Sequence, residues 1–221
     1  MKARIIHMPK HAGSVKQANQ ALESFLAHGW DAQLWEGLTP ETNRGYLPVM
    51  KSGRLNKFTG RKFETKRACV MNHIRFWDDV VQSGEPQAFI EHDAIAVGPP
   101  PEMGWHHVNV LNMDHAFNFG ALKGKFGGWK LVSPIQDLVY LPPDYPLTCK
   151  VEGSPYFGKE MIPGTAAYAI TPNGARKLLD AAHKLGLEQS DYIINTKNVA
   201  IQYTNPSPVR FNSKNLQTSH G

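Results

Sequence analysis

A single α/β domain, an open sheet with helices on both sides, is the fold class this sequence predicts. Three observations carry that expectation. The first 37 residues alternate as strand, helix and strand; further β-prone runs and helical periods alternate downstream; and the composition is that of a chain with one core. The 221 residues are 41% hydrophobic, 19% charged and 10% aromatic, which excludes a disordered chain and suffices to bury a core of useful size.

The elements follow in order. Arg4-Ile5-Ile6-His7-Met8 is a short β-prone run ended by Pro9. Ser14 suits an N-cap, after which Val15, Ala18, Ala21, Leu22, Phe25 and Leu26 recur at helical spacing. His28-Gly29 stops that helix, and Ala32 to Trp35 alternates as a strand. A parallel pair joined by a crossover helix is the economical reading, and such units begin Rossmann-like nucleotide-binding sheets. Residues 38–66 are rich in Gly, Pro, Asn, Lys and Arg and read as a long loop of the lid or binding type. Helical spacing returns from Ala68 to Val81, and Gly84-Glu85-Pro86 ends it. Ala88-Phe89-Ile90 is then a buried-type strand leading into Glu91-His92-Asp93. Strands are expected at 108–112, 138–141, 166–170 and 199–203, with a helix after Thr171-Pro172. The tail after Pro208 is polar and reads as flexible.

The charge is +5 and the sequence pI about 9.1, which fits an anionic partner such as a nucleotide, a nucleic acid or an acidic membrane surface. Cys69 and Cys149 lack zinc-site spacing and read as reduced thiols. Lys10, His11 and Lys16 follow too closely on Ile5-Ile6 for a secretion signal. No apolar run approaches the ~20 residues of a membrane-spanning helix. The expected setting is cytoplasmic, including the periphery of a membrane or a phage-infected bacterial cell.

Glu91-His92-Asp93 carries the chemistry. Side chains two apart in an extended segment share a face, so both acids can point to one site. Hard oxygen ligands suit Mg²⁺ or Mn²⁺, with nucleotide phosphates completing the shell. The competing reading is a solvated pair of loop acids.

Two further blocks sit in register with it. Cys69-Val70-Met71-Asn72-His73-Ile74-Arg75-Phe76-Trp77 precedes the acids; Pro163-Gly164-Thr165-Ala166-Ala167-Tyr168 follows, then Gly174-Ala175-Arg176-Lys177-Leu178-Leu179. Together these resemble family 25 glycosyltransferases, the lipooligosaccharide and collagen-type galactosyltransferases. That family typically shows Cys-x-x-Ser-His-x-x-x-Trp, Glu-Asp-Asp-Ala, Gly-Thr-x-x-Tyr and Gly-Ala-x-x-Leu-Leu. The resemblance runs from about residue 3 to 210. Asn72 replaces the family's serine, and His92 its middle acid.

The resemblance implies one GT-A-like domain over 1–221, with a nucleotide-sugar-binding half over about 1–95 and an acceptor-binding half over about 96–221. It implies a metal-dependent inverting transfer, with Mn²⁺ or Mg²⁺, from a nucleotide-diphosphate sugar (a UDP-sugar first) to a hydroxyl. Asp191 takes the place of the acceptor-side base; the alternative is a helix cap. Glu91 and Asp93 hold the metal, and Glu91 also faces the donor. His7, Met8 and Pro9, with Lys10, hold base and ribose. Gly164-Thr165 lies under the donor sugar, or is an ordinary turn. Arg67 or Lys66 faces the diphosphate, or is solvated. His73 is a donor contact or a core histidine, and His220 is a third metal ligand or part of a disordered terminus.

Three acceptor and class readings compete. A saccharide or lipooligosaccharide acceptor is placed first. A hydroxymethylated base in phage DNA suits the same positive surface but needs base extrusion and aromatic wedges such as Phe58 or Trp105. A metal-dependent nuclease or phosphotransferase would want more carboxylates near the pair than Asp114 and Asp137. A non-catalytic nucleic-acid-binding module would not need two acids at a strand end.

Overall fold

The computed structural model describes residues 1–43, 53–57, 59–102, 104–112, 138–140, 149, 151–159, 162, 165–204 and 206–212. The opening unit forms as its periodicity predicts: β1 (Lys2–His7), α1 (Ala12–Ala27) and β2 (Asp31–Glu36), with β1 and β2 parallel. α2 (Arg61–Ser83) then carries the chain back to β3 (Gln87–Ile90), parallel to β1 on its other side. β4 (Ala94–Ala96), β5 (Val108–Val110), β6 (Leu138–Tyr140), β7 (Ala167–Ile170), α3 (Pro172–Leu185), α4 (Ser190–Ile193), β8 (Ile201–Thr204) and β9 (Val209–Phe211) complete the order.

The main sheet has seven strands in the order β2-β1-β3-β7-β5-β8-β6. It is mixed rather than wholly parallel, because β7 runs against both β3 and β5, and β6 against β8. The α/β class therefore holds, with a sheet that departs from the all-parallel Rossmann pattern. Strand pleating divides the core in two. Ala3, Ile5, Ala88, Ile90, Ala167 and Ala169 join the cluster under α1. Ile6, Phe89, Tyr168 and Ile170 join the cluster under α2 and α3. Helices thus cover both faces, as the sequence predicts.

Local corrections have physical causes. His11, not Ser14, caps α1: its Nδ1 accepts from Ser14 N at 3.2 Å, and the buried Ser14 hydroxyl accepts from Met8 N at 3.0 Å. That pair of bonds rigidifies the turn leaving β1. α2 begins at Arg61, seven residues ahead of the apolar period, because its first turns are largely solvent-facing and leave no stripe to read. Residues 54–57 add a 3-10 turn inside the expected loop, with Leu55 fully buried. Gly53 makes that possible. It has φ +114°, and a Cβ there would lie 2.0 Å from Leu187 N. The polar tail is a strand as far as Phe211, paired with β4.

Asn72 fixes the chain leaving β2. Its Oδ1 accepts from Leu38 N at 2.7 Å and its Nδ2 donates to Leu38 O at 3.1 Å, and all of these groups are buried. Asn72→Ala strands both backbone groups, so unfolding free energy in a denaturant titration is expected to drop by about 2–4 kcal/mol. A loss under about 0.5 kcal/mol, the level of an ordinary surface change, would show that water replaces the clamp.

Candidate active site

After β1 the chain turns to β2 on one side and later to β3 on the other, so the strand order reverses between β1 and β3. Loops leaving two such strands diverge and open a crevice at their carboxyl ends, the usual ligand position in open α/β sheets. His7 ends β1 on one wall, and Glu91 follows β3 on the other.

Glu91-His92-Asp93 is not extended. A bond from Ala94 N to Glu91 O at 3.1 Å closes a tight turn around His92 and Asp93. The expected common face of an extended segment is therefore wrong as a mechanism, yet the turn still brings the acids within electrostatic reach. Burial first, then the charges of Asp93 and Asp191, push Glu91 up to about 8. Glu91 N donates to Ala166 O at 2.8 Å, which extends the β3–β7 ladder by one step and fixes the turn's entry.

Glu91 continues the odd-numbered series after Phe89 and falls on the α2 side. Cys69 of α2 is exposed, yet burial and the Glu91 charge push its thiol up to about 11. His92, in the turn, lies within electrostatic reach of His11 at the start of α1 and of His7. There burial lowers its pKa, with His11 and His7 acting in the same direction against Asp93.

α4 brings the third acid. Burial pushes Asp191 up to about 6; Glu188 adds to this, while backbone N–H groups of residues 191 and 192 and the Lys66 charge oppose it. The cap of α4 is Gln189, so Asp191 lies inside the first turn and is not the cap. Thr165 meets this turn through its Oγ1, 3.4 Å from Ser190 Oγ. The charge of Asp191 reaches Glu91, so this acid lies within electrostatic reach of the turn after β3.

Whether a divalent cation fits there is a question of donors. Asp93 Oδ1 is buried with no hydrogen-bond partner, and burial, together with the Asp93 and Asp191 charges that a cation would offset, raises Glu91 to about 8. Both observations suit hard oxygen ligation. Among the described residues no group of three or more His, Cys, Asp or Glu is arranged to hold a metal. The protein donors would be the Glu91–Asp93 pair.

The other expected residues divide. His7 lines the wall, its Nδ1 3.2 Å from Trp35 O, and Met8 and Pro9 follow at the turn, Pro9 exposed. Lys66 reaches the Asp191 charge, whereas Arg67 Nη1 donates to Leu55 O at 2.8 Å. His73 lies in the core. Trp77 Nε1 donates to Tyr168 Oη at 2.9 Å, and the same hydroxyl is hydrogen-bonded to His73 Nδ1, also at 2.9 Å. Burial lowers the His73 pKa to about 3. One buried network therefore unites the histidine and tryptophan of the first block with the tyrosine of the second. Gly174 has an equally local cause: a Cβ there would lie 2.7 Å from His107 O. Gly164 and His220 lie outside the described residues.

Sequence reasoning missed His11, Cys69 and Glu188 as neighbours of the site. Glu188 is fully buried, and its Oε1 accepts from Gln189 N at 3.0 Å. The spacing Glu188-x-x-Asp191 at a helix start was the available signal. Cys69 opened the first motif block but was read only as a reduced thiol, and His11 had no signal, since only the fold brings it to the turn.

No model of a protein family matches the chain, and no curated protein does. Among solved structures it is similar to mouse xyloside xylosyltransferase 1 in its apo form, at 9% identity. That overlay covers 87% of this chain and 80% of the other, with a TM-score of 0.40.

Proposed function

We propose that the chain is a metal-dependent inverting glycosyltransferase that moves a sugar from a nucleotide-diphosphate donor to a hydroxyl acceptor. The observation that carries this reading is the acid pair Glu91 and Asp93 in the turn that follows β3, with Asp93 Oδ1 buried without a partner and the Asp191 charge within electrostatic reach of Glu91. The three motif blocks that resemble family 25 glycosyltransferases point the same way. Glu91 and Asp93 would hold Mn²⁺ or Mg²⁺, which would supply positive charge to offset that of a departing diphosphate. His7, Met8 and Pro9 form the wall against base and ribose, with a UDP-sugar as the expected donor. Gly164-Thr165 underlies the sugar.

Asp191 takes the acceptor proton. The freed oxygen lone pair forms the new bond to the anomeric carbon, the bond from that carbon to the diphosphate breaks, and the nucleoside diphosphate leaves with the bonding pair. A carboxylate raised to about 6 is a better base than one at its ordinary value and is still ionised at neutral pH. The acceptor is a saccharide, with modified DNA the second candidate on charge alone.

Thermal unfolding with a panel of nucleotide sugars, each with and without Mn²⁺, tests this. Stabilisation by a UDP-sugar that requires Mn²⁺ is expected, since a ligand bound only to the native state raises its stability. Cleavage of DNA, with no shift by any nucleotide sugar, would instead identify a nuclease.

A further inference from the structure

The turn over residues 53–57 docks on the chain that leads to Asp191. Gly53 is pressed against Leu187: a Cβ on it would lie 2.0 Å from Leu187 N and 2.5 Å from Leu187 O, at a φ of +114° that already favours glycine. Leu55 N donates to Leu187 O at 3.3 Å, and both leucine side chains are fully buried in one core cluster. From the other side Arg67 of α2 holds the same leucine, its Nη1 donating to Leu55 O at 2.8 Å. Leu187 lies between α3 and α4, four residues before Asp191. Gln189 caps α4 without a side-chain hydrogen bond. The far end of α4 is pinned by two asparagines: Asn195 Nδ2 donates to Tyr192 O at 2.7 Å and Asn198 Nδ2 to Ile193 O at 2.8 Å. The first turn, which holds Asp191, has a long Ser190–Thr165 contact at 3.4 Å instead.

A first turn without a side-chain cap is placed by the chain that enters it. We propose that residues 53–57 form a strap that positions Asp191, with Gly53, Leu55 and Arg67 as its positioning residues. Docking fixes Leu187, Leu187 sets where α4 begins, and α4 sets where the Asp191 carboxylate meets the acceptor hydroxyl. A general base works only within hydrogen-bond reach of the proton it takes, and a misplacement of about 1 Å costs on the order of 10²-fold in rate. Arg67 thus serves the acceptor side through a backbone carbonyl and not the donor diphosphate. The strap's hold on α4 stands on geometry alone; its effect on turnover rests on the glycosyltransferase reading.

The test compares the full chain with Gly53→Ala and Arg67→Ala, below the melting temperature of each, by amide hydrogen exchange. Hydrolysis of UDP-glucose with Mn²⁺, in which water takes the acceptor's place, is measured in parallel. The amides of Tyr192, Ile193 and Ile194 bond to Gln189 O and Ser190 O and report on α4. They are expected to exchange about tenfold faster in both variants, the worth of one hydrogen bond, while β1 and β3 amides keep their rates. The kcat of hydrolysis should fall about 10–100-fold with the KM for UDP-glucose unchanged. Should Gly53→Ala fail to fold, Arg67→Ala carries the test, since it removes a side-chain bond and leaves the close approach of Gly53 intact. Unchanged α4 exchange in Arg67→Ala overturns the strap, and a raised KM beside it returns Arg67 to the diphosphate. Equally faster exchange in β1 and β3 also overturns it, because the loss is then global. Faster α4 exchange with a normal kcat overturns the positioning of Asp191. Faster α4 exchange in a chain that binds no nucleotide sugar upholds the strap's hold on α4 and overturns the transferase reading instead.

Discussion

Asp191→Asn is expected to lower turnover by about 10²–10⁴-fold, the usual worth of a positioned base, with donor affinity unchanged. Asparagine keeps the shape and can still accept one hydrogen bond from the α4 backbone, but it cannot take a proton. The pH profile separates this role from a structural one. In the wild type, the acid limb of kcat should fall near pH 6, because the folded pKa of Asp191 is raised to about 6 and the protonated form is inactive. The variant's residual rate should lack that limb. An intact limb in Asp191→Asn would assign the titration to another group, and lost donor binding would place Asp191 on the donor side.

Asp93→Asn is expected to cost about 10²-fold or more in Mn²⁺ affinity, because one of the two anionic ligands becomes neutral. Its Oδ1 is buried without a partner, so removing the charge should not unfold the protein. Glu91 adds a pH dependence whose sign follows from burial. Its folded pKa is raised to about 8 from 4.5, so the native state keeps a proton that the unfolded chain has released. The stabilising contribution is fully present below about pH 4.5 and is lost as pH rises toward 8. Metal binding must expel the same proton, so Mn²⁺ affinity should climb up to about pH 8 and then level off. Without Mn²⁺ the melting temperature should fall across that window, and saturating Mn²⁺ or Glu91→Gln should flatten the fall. A metal affinity independent of pH between 6 and 8 would remove Glu91 from the ligand set.

Two motif blocks that the sequence offers as functional are largely structural. Asn72 clamps Leu38, and His73, Trp77 and Tyr168 share one hydroxyl in the core. Residue pattern alone does not separate these cases, because a buried histidine and a ligand-binding histidine have the same neighbours in a linear chain. The distinction is set by what faces the ring across 95 positions of sequence.

What the sequence by itself determined is the alternation of elements and the location of the acid triplet at a strand end. The opening strand-helix-strand, α3 behind Thr171-Pro172, and β3 leading into Glu91 all follow from local periodicity and capping, which act over a few residues. Only the tertiary structure decided the direction of β7, the turn that carries Asp93, and the electrostatic reach of Asp191 to Glu91, 100 positions apart by residue number. Strand direction depends on long-range pairing, and a pKa depends on every charge and every buried surface nearby, none of which a local pattern encodes.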